Sequence, residues 1–243
     1  MSRWGTLVVF GALLAPLTGA PAADMPDEYA PPPVERAEPH FFDLSGWYVR
    51  ADAGDAWGRL DSAQAAPGYP SPADDSLGNG FFASIGGGIK THWLRTDVTV
   101  DYTSPLKYTG TAVTSGDVSA KISGWSALFN GYVDVGKWYG ITPYIGAGAG
   151  VGYMSVSSFS SAAAPPFSGG DHSQWNFNWA AMAGLGYAIT PDVVLDVGYR
   201  YMNFGDVETA SDAFGQMSFK NVAAHEVRVG VRWNLSDVPL VGQ

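Results

Sequence analysis

The stretch that decides the fold is Leu94-Arg95-Thr96-Asp97-Val98-Thr99-Val100-Asp101-Tyr102. Successive side chains of a β-strand point to opposite faces, so alternate residues share a face. One face of this stretch carries leucine, threonine, two valines and tyrosine, and the other carries arginine, threonine and two aspartates. A soluble barrel would hide the apolar face inside, whereas a membrane barrel turns it to lipid and keeps the charges in its lumen.

Seven further segments repeat this alternation between about residues 46 and 235. Each segment is roughly ten residues long, and in six of the eight the polar phase holds charged residues. The eight segments are residues 47–54, 81–90, 94–102, 125–135, 144–153, 177–187, 193–201 and 226–233. Apolar and polar side chains that alternate with a period of two predict strands with two different faces.

The connections between the segments alternate in length. Short links lie near residues 91–93, 136–142 and 190–192, and links of about twenty residues lie near 56–79, 103–124, 155–174 and 202–222. Outer-membrane barrels have short periplasmic turns, long external loops and an even strand number. We therefore predict an all-β fold, an eight-stranded antiparallel up-and-down transmembrane β-barrel with short periplasmic turns and four long external loops.

Aromatic residues on the apolar phase fall near the predicted strand ends. Three lie at the short-turn end: Trp47, Tyr187 and Trp233. Five lie at the long-loop end: Tyr102, Trp125, Tyr153, Phe177 and Tyr201. Two aromatic rings are typical of the two membrane interfaces of a barrel.

The first residues predict export. Arg3 precedes an apolar stretch over residues 7–17, and Ala20-Pro21-Ala22 offers a small-x-small cleavage site. This layout is typical of a secretory signal peptide, with a buried core helix as the alternative. We expect a signal peptide over residues 1–22, a proline-rich periplasmic spacer over 23–43, the barrel over 44–235 and a C-terminal tail over 236–243.

Composition excludes several classes of function. The chain has no cysteine, so disulfides and zinc-thiolate sites are impossible. Its net charge of −10 argues against nucleic acid as a partner, because phosphates are neutralised by clustered lysine and arginine. No later segment has eighteen apolar residues in a row, so a membrane-spanning mature chain must be a closed barrel. We expect no cofactor and no metal.

Charged residues of the inward phase are equal in number for the two signs. They are Arg50, Lys90, Arg95, Arg200, Arg228 and Arg232, and Asp52, Asp97, Asp101, Asp134, Asp196 and Glu226. A narrow interior tolerates charges that are paired and hydrogen-bonded. We expect one connected charge network in the lumen. The network either serves packing alone or lines a narrow water path.

Strand order makes part of this pairing specific. The first and last strands must meet to close a barrel, so Arg50 and Asp52 should lie near Arg228 and Arg232. The third and fourth strands are also neighbours, which should bring Arg95 near Asp134. The face of the fifth segment that is mostly glycine could make room for long arginines of neighbouring strands, or for water.

Catalytic patterns are sparse. The mature histidines are His40, His92, His172 and His225. Asp171 and His172 form an adjacent pair that faintly resembles the pair of omptin proteases, but those barrels have ten strands. The sequence holds no Gly-x-Ser-x-Gly elbow. We expect a protein that is not an enzyme.

Five stretches carry a family resemblance. They are Gly46-Trp47-Tyr48-Val49-Arg50-Ala51-Asp52-Ala53-Gly54, Asn130-Gly131-Tyr132-Val133-Asp134-Val135-Gly136, Thr142-Pro143-Tyr144-Ile145-Gly146-Ala147-Gly148-Ala149-Gly150, Val197-Gly198-Tyr199-Arg200-Tyr201, and His225-Glu226-Val227-Arg228-Val229-Gly230-Val231-Arg232-Trp233. In this order they resemble the eight-stranded outer-membrane β-barrel proteins of Gram-negative bacteria. They especially resemble the major small outer-membrane proteins of alphaproteobacteria, which are relatives of the opacity and OmpA-like barrels. Such barrels often end on the aromatic of the last strand, whereas about ten residues follow Trp233 here.

The resemblance implies a location in the outer membrane and two kinds of function. The first is a structural envelope protein, with or without a narrow pore for small solutes. The alternative is a surface-recognition module, adhesin or opacity-like, that binds partners through its long loops. Outer-membrane lipid, lipopolysaccharide and the assembly machinery are the implied partners, and the oligomeric state stays open. A soluble ligand-binding barrel is a third possibility.

Overall fold

The computed structural model describes residues 46–65, 71, 73–112, 116–161, 171–209 and 217–235. The predicted signal peptide, spacer and C-terminal tail lie outside the described residues. Ten strands form: β1 (Gly46–Arg59), β2 (Ser62–Gln64), β3 (Ala73–Leu77), β4 (Asn79–Thr91), β5 (Leu94–Ala112), β6 (Gly116–Asp134), β7 (Ile141–Ser161), β8 (His172–Ala188), β9 (Val193–Glu208) and β10 (Ser218–Leu235). No helix among the described residues is long and apolar enough to cross a membrane.

Eight long strands close into an antiparallel barrel in the order β1-β4-β5-β6-β7-β8-β9-β10. Pairing of β1 with β10, from Trp47 opposite Leu235 to Arg59 opposite Ala223, completes the ring. The short strands β2 and β3 add to β10 and β5. The predicted all-β, eight-stranded closed barrel is confirmed, and its closure satisfies the backbone of every long strand through ladder hydrogen bonds.

The apolar phase of the membrane-spanning part faces outward. Val98, Phe129 and Ile145 are each more than half exposed, which fits a lipid-facing surface rather than a water-facing one. Neighbouring aromatic rings form an outer girdle at the long-loop end. The ring centroids of Tyr102 and Trp125 lie 4.9 Å apart, and those of Tyr153 and Trp175 lie 5.2 Å apart.

The connections predicted as long loops differ from the structure, because much of each is paired strand. In β5 a bulge between Thr103 and Leu106 shifts the register. Beyond the bulge, Leu106 and Tyr108 are buried inside while Lys107 is exposed outside. The pattern is thus apolar-inside and polar-outside, as in a water-soluble barrel. The strands therefore rise past the lipid boundary as a continuous paired wall.

A second irregularity turns the β9–β10 pair at the same end. Asn221 and Gly205 have positive φ angles of 53° and 75°. Asparagine and glycine tolerate this left-handed conformation better than other residues. The register shifts there, between Phe219 and Val222, and brings both of these apolar side chains into the interior.

Candidate functional site in the barrel lumen

All twelve charged residues of the inward phase lie inside the barrel. Ten of them are buried, and Lys90 and Asp134, at the short-turn end, are partly buried. They come from six of the eight barrel strands, because each strand contributes alternate residues to the lumen. The exceptions are β7, whose inward face is mostly glycine, and β8, whose inward residues include Asn178, Ala180 and Met182.

A central group of charges joins β1, β5 and β10. The Arg50 guanidinium donates from Nε and Nη2 to the two Asp52 carboxylate oxygens, both at 2.8 Å. Its Nη1 donates to Asp97 at 3.0 Å and to the Tyr132 hydroxyl at 2.9 Å. The Nη2 of Arg228 lies 2.8 Å from Asp52. Two arginines therefore share two carboxylates in a buried cluster with equal numbers of positive and negative charges.

Arg200 holds a second group of charges nearer the long-loop end. It donates from Nη1 to Asp101 at 2.7 Å and from Nε to Glu226. Four strand steps separate β5 from β9 in a ring of eight, so the bond to Asp101 crosses the lumen from one wall to the opposite wall. The guanidinium also lies 4.9 Å from the ring centroid of Phe82.

A third group lies at the short-turn end. Asp134 accepts hydrogen bonds from Lys90 Nζ at 2.6 Å and from Arg95 Nε at 2.9 Å. The Arg95 guanidinium packs on two aromatic faces, 4.8 Å from the Tyr132 centroid and 4.5 Å from that of Tyr144. Arginine stacks on aromatic rings in this way through cation–π attraction.

Arg232 makes the remaining ion pair, at 3.4 Å from Nη2 to Asp196. Arg232 lies opposite Arg50 in the β1–β10 register, but its charge is paired toward β9 instead. Its Nε and Nη1 have no hydrogen-bond partner among the described residues.

Within the described residues, the twelve residues form four ion-paired groups rather than the single network expected from the sequence. Successive inward residues are about 7 Å apart along a strand, so side chains at different heights meet different partners. Uncharged groups fill the space between the groups. Asn130 donates to Asp97 at 2.8 Å, and Tyr48 donates to the same carboxylate at 2.9 Å.

The glycine face of β7 makes room for neighbours other than arginines. A Cβ atom at Gly146 would overlap the Tyr132 ring, and one at Gly148 would overlap the Asn130 amide. The Tyr132 ring packs on the Arg95 guanidinium, and the Tyr132 hydroxyl accepts from Arg50 and donates to Asp97 at 3.5 Å. These glycines therefore position the charges indirectly, through the residues that order them.

An apolar layer closes the lumen above the charges, and the sequence analysis missed it. Its members are fully buried and come from strand portions beyond the lipid boundary: Leu106, Tyr108, Ile122, Val207, Phe219 and Val222. Tyr108 donates to Asp75, and burial together with that carboxylate raises the pKa of Tyr108 above its ordinary value. The sequence carries a signal for this layer. After residue 103 the alternation of apolar and polar side chains resumes with reversed parity, so that the apolar residues fall on the inward phase.

Candidate catalytic residues are not gathered into a site in the described part of the chain. Asp171 and His172 lie at the start of β8, and His92 lies in the β4–β5 turn. His225 faces outward, with Nδ1 2.5 Å from the Tyr199 hydroxyl. The described residues contain no group of three or more histidine, aspartate or glutamate side chains placed to hold a metal ion.

Comparisons with known proteins agree with this architecture. A family model described as outer membrane protein beta-barrel domain matches residues 10–234. An uncharacterised protein of Brucella abortus (strain 2308) is 30% identical over 195 residues, which cover 65% of this chain and 68% of the relative. A Rickettsia prowazekii (strain Madrid E) protein described as a candidate adhesin is 26% identical over 215 residues, which cover 78% of this chain and 87% of that protein.

Among solved structures, Neisserial surface protein A is 26% identical, with a TM-score of 0.51. The match covers 79% of this chain and 98% of that one. The lipid-facing outer surface, the paired lumen charges and the match over nearly the whole chain lead to one conclusion: the protein lies in the outer membrane and belongs to the outer membrane protein beta-barrel domain family.

Proposed function

We propose that the protein is a non-enzymatic structural component of the outer membrane whose barrel is closed to solutes at rest. The observation that carries this proposal is the bond from Arg200 to Asp101. It joins opposite walls of the lumen, and both side chains are almost fully buried. A water-filled channel would leave such groups solvated.

Two further layers support a closed lumen. Below Arg200, Arg50 reaches from β1 to Tyr132 on β6, three strands away. Above it, the apolar layer that includes Leu106 and Phe219 is fully buried. An eight-stranded barrel leaves an interior that side chains just fill, whereas open channels need more strands. These contacts favour a scaffold over the narrow pore considered from the sequence.

Planar-bilayer recording tests this proposal. The refolded barrel should produce no steady conductance in concentrated salt solution, even after many insertions. A general porin from the same preparation is the positive control. Insertion must be checked independently, by protease protection of the reconstituted protein. A reproducible unitary conductance in the wild type would show that the lumen is a pore and the proposal is wrong.

A second candidate function is recognition at the cell surface. The paired extensions of β5 and β6 reach Ala112 and Gly116, well past the outer aromatic girdle. Their outward side chains are polar, for example Lys107 and Lys121, which lie opposite each other in the register. A rigid polar rim of this kind suits a binding surface, and the Rickettsia relative is described as a candidate adhesin.

Cell adhesion tests the second candidate. The chain, expressed on a non-adherent Gram-negative host, should increase attachment to epithelial cells. A variant with residues 111–117 replaced by Asn-Gly should lose that increase, because the tip of the hairpin is removed. The variant must still be folded, shown by the same electrophoretic heat shift as the wild type. No attachment by the wild type above the empty host would contradict this function.

A further inference from the structure

A cavity opens among the side chains at the short-turn end of the barrel. Its volume is about 330 Å³, and its lining includes Lys90, His92, Asp134, Lys137 and Arg232. A water molecule takes about 30 Å³ of liquid volume, so the cavity has room for a small polyatomic ion with its own waters. The ends of six strands and two short turns form the walls.

The lumen charges around this cavity are unbalanced. Lys90, Arg95 and Arg232 supply three cations, while Asp134 and Asp196 supply two carboxylates. Asp134 is already shared between Lys90 and Arg95. The chain as a whole has a net charge of −10, so this local positive excess runs against its composition. Buried charge without a counter-charge is costly, which points to an anion at this place.

Arg232 adds an independent observation. Its side chain is 4% exposed and lines the cavity, yet Nε and Nη1 have no hydrogen-bond partner among the described residues. Its contact with Asp196, at 3.4 Å, is longer than the usual 2.7–2.9 Å of a charge-assisted hydrogen bond. A buried guanidinium whose N–H groups lack hydrogen-bond partners costs more free energy than most other unsatisfied polar groups. The planar donor fork matches the oxygens of an oxyanion.

We infer that this cavity is a phosphate-group binding site that faces the periplasmic end of the barrel. Arg232 donates to the phosphate from β10, and Lys90 supplies positive charge from β4. The two donors come from different strands, β4 and β10, so they can bond to different oxygens of a tetrahedral oxyanion. The phosphate comes either from a free inorganic ion or from the headgroup of a lipid in the inner leaflet.

Binding of inorganic phosphate is the first measurement. The full chain, refolded in phosphate-free nonionic detergent, should broaden the ³¹P NMR line of inorganic phosphate in a saturable way. Arg232→Gln should weaken the apparent affinity about tenfold, the usual effect of losing one charge-assisted hydrogen bond. Lys121→Gln is the matched control, since it removes an exposed outward cation far from the cavity, and it should leave the affinity unchanged.

Further arms make the test decisive. Lys90→Gln should also weaken the binding of inorganic phosphate. This variant replaces Arg232→Gln in the test if Arg232→Gln does not fold. Phosphatidic acid in the micelle should compete with inorganic phosphate if a headgroup is the natural occupant, and should not compete if a free ion is. Either result supports the site, provided that Arg232→Gln or Lys90→Gln weakens the binding of inorganic phosphate. Equal binding by wild type and both cavity variants, or equal competition by acetate, would overturn the inference.

Discussion

Arg200 shows how a single side chain can organise the lumen of a small barrel. Its guanidinium neutralises Asp101 and Glu226 from two different strands. Both carboxylates are buried, so neither can exchange its partner for water. The pairing stabilises the barrel chiefly because the alternative, an unpaired carboxylate in a dry interior, is so unfavourable.

Arg200→Gln should therefore destabilise the barrel strongly. We expect the free energy of unfolding to fall by about 3–5 kcal/mol, the usual cost of breaking a buried ion pair. Urea titration of the refolded protein, followed by tryptophan fluorescence, measures the loss. Arg59→Gln is the matched control, because Arg59 is exposed on β1 and should cost less than about 1 kcal/mol. Equal effects of the two variants would show that the cross-lumen bond contributes nothing.

Within strand β5, a single bulge reverses which face of the strand is apolar. Below Thr103 its inward residues are charged or polar, and above Ser104 they are Leu106 and Tyr108. Its outward residues change in the opposite sense, from Val98 and Val100 to lysine and threonine. The bulge therefore marks the lipid boundary on this strand, with the membrane on one side and water on the other.

The cost of placing a charge on the outer face of β5 should depend on where the residue lies relative to the lipid boundary. Val98→Arg places a cation near the middle of the lipid face, and the free energy of unfolding in a bilayer should fall by about 2–4 kcal/mol. Thr111→Arg places the same cation on the same strand beyond the bulge and should cost about 0–1 kcal/mol. Urea unfolding in lipid vesicles compares them. A larger loss from Thr111→Arg would mean that the boundary is misplaced.

The inner face of β5 beyond the bulge should behave as a protein core. Leu106 is fully buried in the apolar layer, so Leu106→Ala should lower the free energy of unfolding by about 2–5 kcal/mol. The neighbouring change Lys107→Ala, on the exposed outer side, should change it little. Chemical denaturation of both variants in detergent gives the comparison. If Leu106→Ala leaves the free energy of unfolding unchanged, the apolar layer does not stabilise the barrel.

At the scale of the whole molecule, closure of β1 on β10 removes both sheet edges. Each of the eight long strands then pairs with a neighbour on both sides, which is the condition for a strand-built structure in lipid. Opening one seam would expose two unpaired edges to the hydrocarbon, which is unfavourable because lipid offers no hydrogen-bond partners.

Export and assembly follow as a prediction for the full chain. In a Gram-negative host the precursor should be shortened near Ala22, which lies outside the described residues, and the product should fractionate with the outer membrane. Because a closed barrel resists cold detergent, the product should migrate differently in electrophoresis before and after boiling. N-terminal sequencing and a heat-shift gel give the readouts. A product in the soluble periplasm without a heat shift would contradict the prediction.

Local sequence patterns are sufficient for much of this architecture. Alternation in 94–102 separates Val98 from Asp97, and the same rule applied to every segment places the charged residues on the lumen side. The strand number follows from counting segments, and the membrane environment follows from apolar outward faces between aromatic ends. These features depend on which face a residue occupies, and a period of two determines that within a few residues.

Only the tertiary structure decided which charges meet and where the lumen closes. Arg200 and Asp101 are 99 residues apart, and they meet because barrel closure and strand stagger bring β9 opposite β5 at one height. Arg232 pairs with Asp196 rather than Asp52 for the same reason. The bulge after Thr103 reverses the parity of Leu106 and Tyr108. A period of two that is counted without the bulge therefore places these residues on the outer face and does not predict the apolar layer. Partner choice depends on register around a closed ring, and register is a property of all eight strands together.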